Sequence, residues 1–213
     1  MKRARVLLAD DHKIVVEGLR SLLEAEFELA GAVDDGRALV AAALKLQPDV
    51  IVADISMPLL NGIEAARQLK KLGVTAKIIF LTMQTDVTYA VRALEAGASG
   101  YVLKHSATSE LVKAIREVLK GNMYVTPVLA KEGLESFMDR VEHSRKTPLS
   151  LTDRQQEILQ LLAEGRSAKE VGGLLNISTR TVEFHKYRIM ENLQLKTTAE
   201  LVQYAIKHGI VSM

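Results

Sequence analysis

Four charged residues of this 213-residue chain directly follow short apolar runs. Asp10 and Asp11 come after one run, Asp54 after a second and Lys104 after a third. If these runs are parallel strands of one sheet, the four side chains meet at its carboxyl edge, where ligands bind in open α/β sheets. Three carboxylates gathered at one place repel each other unless a cation is present. The sequence therefore predicts a metal-assisted phosphoryl site.

The part of the chain before residue 121 alternates short β-rich runs with segments of helical periodicity. Strands that alternate with helices predict βαβ units, a parallel sheet and helices on both of its faces. The third and fourth runs are apolar throughout, which indicates strands buried on both sides. We predict strands near 4–9, 28–33, 49–53, 77–82 and 99–103, and helices near 13–26, 36–46, 61–72, 86–96 and 108–120.

The C-terminal part of the chain has only helical signals. Residues 168–193 predict a helix, a short turn and a second helix over 179–193, which is the helix-turn-helix arrangement whose second helix enters the major groove of DNA. Between the two parts, residues 121–149 have balanced charge and indicate a linker that is partly helical near 128–141. Helix starts are predicted at the N-cap Ser178 and at three capping boxes, Thr152 with Gln155, Ser167 with Glu170, and Thr197 with Glu200.

Composition excludes several classes of protein. The chain has no cysteine, so it forms no disulfide and no thiolate metal site, which fits a reducing cytoplasm. We find no secretory signal and no apolar stretch near the roughly 20 residues of a membrane span, and we therefore expect a cytoplasmic protein without a membrane partner. The net charge of +2 does not by itself indicate nucleic-acid binding.

The residues around the charged positions resemble those of a known family. Residues 54–58, Asp-Ile-Ser-Met-Pro, with Asn61 and Gly62 after them, resemble the phosphorylation loop of bacterial response-regulator receiver domains, which are CheY-like. The acidic pair, the hydroxyl residue and the lysine of that family fall on Asp10 with Asp11, on Thr82 and on Lys104.

The helical part is similar to the LuxR-type helix-turn-helix in residues 151–154, 169–171 and 181–185. Together the two parts resemble the NarL/FixJ subfamily of two-component response regulators. The resemblance implies a doubly wound, flavodoxin-like α/β receiver with five parallel strands in the order 2-1-3-4-5, followed by an all-α domain of four helices. The domains that it implies are a receiver over 1–121, a linker over 122–148 and a DNA-binding domain over 149–213.

The function implied by this resemblance is the control of transcription by phosphorylation. The receiver would accept a phosphoryl group on Asp54 from a sensor histidine kinase with Mg²⁺ as the cofactor. The activated chain would bind double-stranded promoter DNA as a homodimer, with RNA polymerase as a further candidate partner. Such a chain is a signalling transcription factor and not an enzyme in the usual sense.

The acidic residues suit a magnesium ion. Mg²⁺ prefers near-octahedral oxygen ligands and binds through one or two carboxylates together with water and phosphate oxygens. We expect Asp11 and Asp54 to bind it directly and Asp10 to act through water. The resemblance adds the backbone carbonyl of Ser56 as a further ligand.

Other residues near the predicted edge have roles that only the resemblance implies. Lys104 would bind the phosphoryl group, Thr82 would move toward it, and Tyr101 would turn inward behind Thr82. An aromatic residue in a strand is also common in core packing, so this alternative remains for Tyr101. We expect His12 to begin a helix and to have no chemical role.

Base contacts are expected from Glu183, Phe184 and Tyr187 in the first turns of the predicted recognition helix. Phe184 either touches a thymine methyl group or belongs to the core, and the sequence leaves both open. Gly172 and Gly173 lie inside the preceding helix, where close packing at the turn explains them better than a hinge. The other predicted DNA-binding residues, most of them cations for phosphates, are Lys169, Ser178, Arg180, Thr181, Lys186, Arg188 and Lys196.

Two other classes of function remain as alternatives. A Mg²⁺-dependent phosphatase of the aspartyl-phosphate type would use the same acids, but Ser56 stands two residues after Asp54, where such an enzyme needs a second carboxylate. An interaction module that does not read DNA is favoured by the near-neutral charge of residues 151–213, which contain eight Lys and Arg against seven Asp and Glu.

Overall fold

The computed structural model describes residues 3–131 and 151–211. The N-terminal described part forms a sheet of six parallel strands in the order β2-β1-β3-β4-β5-β6. The strands are β1 (Arg5–Ala9), β2 (Glu28–Val33), β3 (Val50–Ala53), β4 (Lys77–Thr82), β5 (Gly100–Leu103) and β6 (Tyr124–Val125). The predicted order is confirmed for the first five strands, and the predicted number of five is corrected to six.

Helices cover both faces of this sheet, as predicted. They are α1 (Lys13–Leu23), α2 (Gly36–Leu46), α3 (Gly62–Lys71), α4 (Val87–Glu95) and α5 (Ala107–Leu119). One core cluster joins the sheet to α1 and α5, and a second joins it to α2, α3 and α4. Every residue of β3 is buried, because strands covered on both faces have no polar side.

The strand β6 was not predicted, because its two residues fall in the segment assigned to the linker. Tyr124 pairs with Gly100 of β5 and extends the sheet by one strand. A short helix, α6 (Pro127–Lys131), follows and places the buried side chain of Leu129 in the core of the sheet domain. The predicted helix near 128–141 overlaps α6 and otherwise lies outside the described residues.

The described C-terminal residues, 151–211, form the four predicted helices. They are α7 (Asp153–Ala163), α8 (Ala168–Leu175), α9 (Thr179–Asn192) and α10 (Thr198–Lys207). The helices enclose an apolar core in which Val182, Ile189 and Leu201 are fully buried. None of the helices in the described parts of the chain has the length and apolar character needed to cross a bilayer.

Side-chain caps fix where these helices begin. The predicted caps of α7, α8 and α9 are present, on Thr152, Ser167 and Ser178. The third predicted capping box is wrong in one half. Thr197 accepts the N–H of Glu200 as expected, but the Glu200 carboxylate accepts the N–H of Lys196 rather than that of Thr197. The acidic side chain therefore reaches one residue further back than a capping box requires.

The two adjacent glycines of α8 have different surroundings. A methyl group on Gly172 would lie 2.8 Å from the carbonyl oxygen of Ile177 in the turn, whereas one on Gly173 would meet no atom within 4 Å. Close packing at the turn therefore explains Gly172, but it does not explain Gly173, which is exposed. Nothing in the described surroundings requires a glycine at position 173.

This difference predicts opposite effects of the same substitution. Gly172→Ala should lower the free energy of unfolding by about 2 kcal/mol, because backbone atoms have to move to admit the methyl group. Gly173→Ala should raise it by about 0.5–1 kcal/mol, because alanine restricts the unfolded chain and favours the helix. Urea unfolding of the full chain, followed by circular dichroism, measures both. Equal effects of the two variants would contradict this interpretation of Gly172.

Candidate functional site

The predicted acidic residues come together at the carboxyl edge of the sheet. Asp10 follows β1 and Asp54 follows β3, and both side chains are buried. One potential ligand atom each from Asp10, Asp11, His12 and Asp54 lies within 4.8 Å of the others. His12 is the N-cap residue of α1, as predicted, but its Nδ1 also lies 3.0 Å from Asp11 Oδ1.

Lys104, in the first turn after β5, points its ammonium group into this cluster. Its Nζ lies 2.7 Å from Asp54 Oδ2 and 2.8 Å from Asp10 Oδ2. Burial raises the pKa of Asp54 above its ordinary value, and the bond from Lys104 offsets part of that rise. Burial by itself lowers the pKa of Lys104, but the bonds to Asp10 and Asp54 outweigh it and the net pKa is raised. The ammonium group therefore stays charged and neutralises the two buried carboxylates in part.

The loop between β3 and α3, residues 54–61, surrounds the Asp54 side of the cluster. The N–H of Ser56 donates to Asp54 Oδ1 at 3.3 Å, and Asn61 caps α3 by accepting the N–H of Glu64. Gly62 is needed where α3 begins, because a methyl group there would lie 2.2 Å from the carbonyl oxygen of Asp54. A cavity of about 130 Å³ opens beside the cluster, lined by Asp11, Ser56, Met57, Pro58, Glu164 and Val211.

The donor set at this edge fits a hard divalent cation. Three carboxylates supply oxygen atoms, and the cavity next to Asp11 and Ser56 leaves room for water. Small divalent cations prefer such oxygen ligands and keep several waters. The acidic pocket formed by Asp10, Asp11 and Asp54 is therefore consistent with binding of Mg²⁺.

Thr82 and Tyr101 lie together behind the cluster on β4 and β5, and both are buried. They contact the same residue, Gln84. Its N–H donates to Thr82 Oγ1 at 3.2 Å, and its carbonyl accepts the Tyr101 hydroxyl at 2.8 Å. Burial raises the pKa of the Tyr101 hydroxyl, which therefore stays protonated and donates. Gln84 thus connects the two side chains to which the family resemblance gives successive roles.

The helix α9 leaves its predicted reading face open to the solvent. Phe184 is 58 % exposed and Tyr187 is 68 % exposed, so Phe184 is a surface residue and not part of the core. The guanidinium of Arg188 lies 5.8 Å from the centre of the Phe184 ring. The other predicted DNA-binding residues are exposed or half-buried on and around the same helix, namely Lys169, Ser178, Arg180, Thr181, Glu183, Lys186 and Lys196.

The two domains contact each other through α3 and α7, which pack antiparallel. Contacts along this interface pair Lys71 with Asp153, Gln68 with Glu157, Arg67 with Gln156, Asn61 with Gln160 and Leu59 with Glu164. Two contacts lie beside them: Arg37 donates to the carbonyl of Leu174, and Arg92 donates to that of His208. We refer to this arrangement of the domains as the docked form. It leaves the exposed side chains of α9 uncovered.

Gln160 lies at the buried centre of this interface, and the sequence analysis missed it. Its Nε2 donates to the carbonyl of Met57 at 2.9 Å, and its Oε1 accepts the N–H of Asn61 at 2.8 Å. The side chain is only 1 % exposed. The signal that could have revealed it is a single amide within the apolar run 158–162, since a polar group buried in such a run needs partners.

Comparison with known proteins agrees with both parts of this description. Residues 6–116 match the model of the response regulator receiver domain, and residues 149–205 match that of the bacterial regulatory proteins of the luxR family. The chain is 33 % identical to the response regulator GacA of Pseudomonas aeruginosa in an alignment of 210 residues that covers 97 % of this chain and 97 % of GacA.

Two solved structures of RcsB are similar over nearly the whole chain. RcsB from Salmonella enterica serovar Typhimurium, bound to the promoter P1flhDC in the presence of the phosphomimetic BeF3⁻, has 28 % identity and a TM-score of 0.58. A structure of two RcsB dimers bound to two parallel DNAs has 30 % identity and a TM-score of 0.56. Each comparison covers 95 % of this chain and 98 % of the RcsB chain.

The chain therefore belongs to the response regulators that join a receiver domain to a LuxR-type DNA-binding domain. This family consists of transcription regulators and not of enzymes in the usual sense. A receiver domain implies a sensor kinase as the partner that supplies its signal. The predicted family, fold class and general function are thereby confirmed.

Proposed function

We propose that Asp54 accepts a phosphoryl group from a histidine kinase and that this event controls the binding of promoter DNA. The observation that carries the proposal is the pairing of Asp54 with Lys104 at 2.7 Å in a pocket that also contains Asp10 and Asp11. A buried carboxylate beside a cation and further carboxylates has what phosphoryl transfer requires, because that reaction depends mainly on positioning and on charge neutralisation.

In this proposal Asp11 and Asp54 would hold Mg²⁺ directly, Asp10 would act through water, and the carbonyl of Ser56 would be a further ligand. Bound Mg²⁺ would neutralise negative charge on the oxygens of the transferred group. The position of Ser56 beside Asp11 in one cavity supports its part in this set.

The transfer itself breaks one bond and forms one bond. A carboxylate oxygen of Asp54 attacks the phosphorus of the kinase phosphohistidine, the phosphorus–nitrogen bond breaks, and its electron pair stays on the imidazole, which takes up a proton. The product is an acyl phosphate on Asp54. The ammonium group of Lys104 then leaves the carboxylate in part and holds a phosphoryl oxygen.

The response is proposed to pass through Thr82 and Tyr101. The hydroxyl of Thr82 would turn from the N–H of Gln84 to the phosphoryl group. This movement would release the backbone of Gln84, whose carbonyl also accepts the hydroxyl of Tyr101. A local change of charge would thereby change the surface near α4. In the docked form α4 contacts the end of the DNA-binding domain, because Arg92 donates to the carbonyl of His208.

DNA recognition is assigned to the exposed face of α9. Glu183, Phe184 and Tyr187 would contact bases in the major groove. Dimerisation would place two copies of α9 on half-sites about one helical turn apart, an arrangement supported by the DNA-bound dimers of RcsB. RNA polymerase is a proposed further partner at the promoter. The cations and helix-start residues proposed to hold phosphates are Lys169, Ser178, Arg180, Thr181, Lys186, Arg188 and Lys196.

The proposed division of the chain remains a receiver over 1–121, a linker over 122–148 and a DNA-binding domain over 149–213. The start of that linker packs on the receiver, since β6 and α6 belong to its sheet and core. We propose a cytoplasmic location, where a sensor kinase and promoter DNA are both accessible.

The proposal is tested by the response of promoter binding to a small phosphodonor with Mg²⁺. The wild-type protein should bind promoter fragments at least ~10-fold more tightly after treatment, which corresponds to a typical allosteric coupling. Asp54→Asn should show no change, because an amide cannot accept the group. Asp49→Asn is a suitable control, since Asp49 directly precedes β3 at the opposite edge of the sheet, where it accepts the N–H of Arg5, a bond that the asparagine oxygen can keep. Equal responses of wild type and Asp54→Asn would refute the role of Asp54.

A further inference from the structure

Two side chains of the DNA-binding domain hold the loop that carries Asp54 and Ser56. Gln160 binds the carbonyl of Met57 and the N–H of Asn61, as described above. Glu164, the residue that ends α7, accepts the N–H of Leu59 at 3.0 Å and the Nε2 of Gln160 at 2.9 Å. Three backbone groups of residues 57–61 are therefore bound by side chains of the other domain, in addition to the hydrogen bonds within the loop.

The conformation of Leu59 makes the loop depend more strongly on contacts with the other domain. Its φ is +64°, a left-handed conformation that is costly for a residue with a bulky side chain. Its side chain packs against the apolar core of the DNA-binding domain. The strained residue of the loop is thus held in part by contacts with the docked domain. Undocking removes those contacts and allows the loop to relax.

Glu164 also brings a negative charge to the cavity beside the acidic cluster. Its carboxylate lines the same cavity as Asp11 and Ser56, and its side chain is 17 % exposed. Arg166 balances this charge only in part, with Nε 3.4 Å from Glu164 Oε2. A carboxylate at the C-terminal end of a helix is unfavourable for the helix dipole, so the helix itself gains nothing from an acid there.

We propose that Glu164 is a positioning residue through which docking and the presence of a phosphoryl group on Asp54 oppose each other directly. The phosphoryl group would add negative charge beside the cavity that Glu164 lines with Asp11 and Ser56, and like charges in a partly buried site repel. This route runs from Asp54 through the β3–α3 loop to α7 and does not use Thr82 or Tyr101. The inference rests on the proposed role of Asp54 as the phosphoacceptor.

The consequence is a reciprocal coupling between two equilibria. The factor by which a phosphoryl group weakens docking must equal the factor by which docking weakens binding of a phosphoryl mimic. Glu164→Gln keeps an oxygen that can accept the N–H of Leu59 but removes the charge. We expect it to reduce this coupling factor about fivefold, as suits one screened charge pair in a partly buried site.

The experiment uses the full chain and beryllofluoride with Mg²⁺ as the phosphoryl mimic. Small-angle scattering gives the docked fraction with and without the mimic, and titration gives the affinity for the mimic. Glu157→Gln is the matched control, because Glu157 lies on the same helix two turns earlier and binds Gln68 of α3. It should retain the wild-type coupling. Arg166→Gln, which removes the partial counter-charge, should increase the coupling.

The possible results are distinct. Equal coupling in wild type and Glu164→Gln overturns the inference, and so does an equal loss in Glu157→Gln. Glu164→Gln could be undocked even without the mimic, and the coupling factor of Arg166→Gln then tests the inference. If that factor is no greater than the wild-type factor, the inference is overturned. If the mimic undocks the wild type and Glu164→Gln to the same extent, the inference fails but the role of Asp54 stands. A wild type that shows no response refutes that role as well.

Discussion

Replacement of Lys104 by methionine is expected to lower the free energy of unfolding at neutral pH by about 3 kcal/mol in the absence of Mg²⁺. The ammonium group lies within 2.8 Å of carboxylate oxygens of both Asp10 and Asp54, and all three side chains are largely buried. Methionine fills a similar volume but leaves the two carboxylates facing each other without the cation. Breaking a buried pair by removing one partner is costly because the remaining charge stays desolvated.

Addition of millimolar Mg²⁺ should restore most of this loss, because the ion replaces the missing positive charge among the three carboxylates. Urea unfolding with and without Mg²⁺ measures both effects. Lys120→Met is a matched control, since Lys120 pairs with Glu117 on the exposed end of α5 and should change little. A Lys104→Met protein as stable as wild type without Mg²⁺ would show that the ammonium group does not neutralise the cluster.

Replacement of Gln160 by leucine is expected to release the docked domains. The substitution keeps the volume of the side chain but leaves the N–H of Asn61 and the carbonyl of Met57 without their partners whenever the domains dock. Two buried backbone groups without hydrogen bonds cost about 3 kcal/mol together, which shifts the docking equilibrium by about 100-fold. The undocked form should then be far more populated than in wild type.

Hydrogen exchange measures this shift over a wide range. The amides of Leu59 and Asn61, whose N–H groups donate to Glu164 and Gln160 of the other domain, should exchange about 100-fold faster in Gln160→Leu, because undocking exposes them. Gln156→Leu serves as the control, since Gln156 lies on the same helix and contacts the receiver through one bond of 3.4 Å with Arg67. Unchanged exchange in Gln160→Leu would mean that this amide does not determine docking.

The meeting of Asp10, Asp54 and Lys104 could be predicted from sequence because a general rule of sheets places them. Apolar runs predict buried parallel strands, and parallel strands that alternate with helices end at one edge. The three residues follow three such strands, and the ammonium group of Lys104 lies within 2.8 Å of a carboxylate oxygen of each of the other two. Local patterns suffice here, because the parallel pairing of the strands brings residues that are distant in sequence to the same edge of the sheet.

The roles of Tyr124 and Gln160 could not be predicted in this way. Tyr124 belongs to a strand of two residues, which is too short to show the alternation or the apolar run that identifies a strand. Gln160 is bound by residues about 100 positions earlier in the chain, and no periodic pattern links the two segments. Their partners are decided by how the domains pack, and a single sequence does not contain that geometry in a local form.

Phe184 represents an intermediate case. The sequence left it between the core and the DNA-binding face, because α9 must present one side to the core and a second side to DNA. The helix places Val182 and Ile189 inward and leaves Phe184 exposed. Once the buried side of α9 is known, helical periodicity therefore assigns Phe184 to the surface.

The open face of α9 has a consequence for the search along the genome. A docked molecule still presents its aromatic and cationic side chains to the solvent, so the receiver does not prevent a first encounter with DNA. Encounters of this kind depend on phosphate contacts and allow a protein to slide along the duplex. Molecules without a phosphoryl group would then already lie near chromosomal DNA, and the signal would decide how long they remain at a promoter and not whether they arrive.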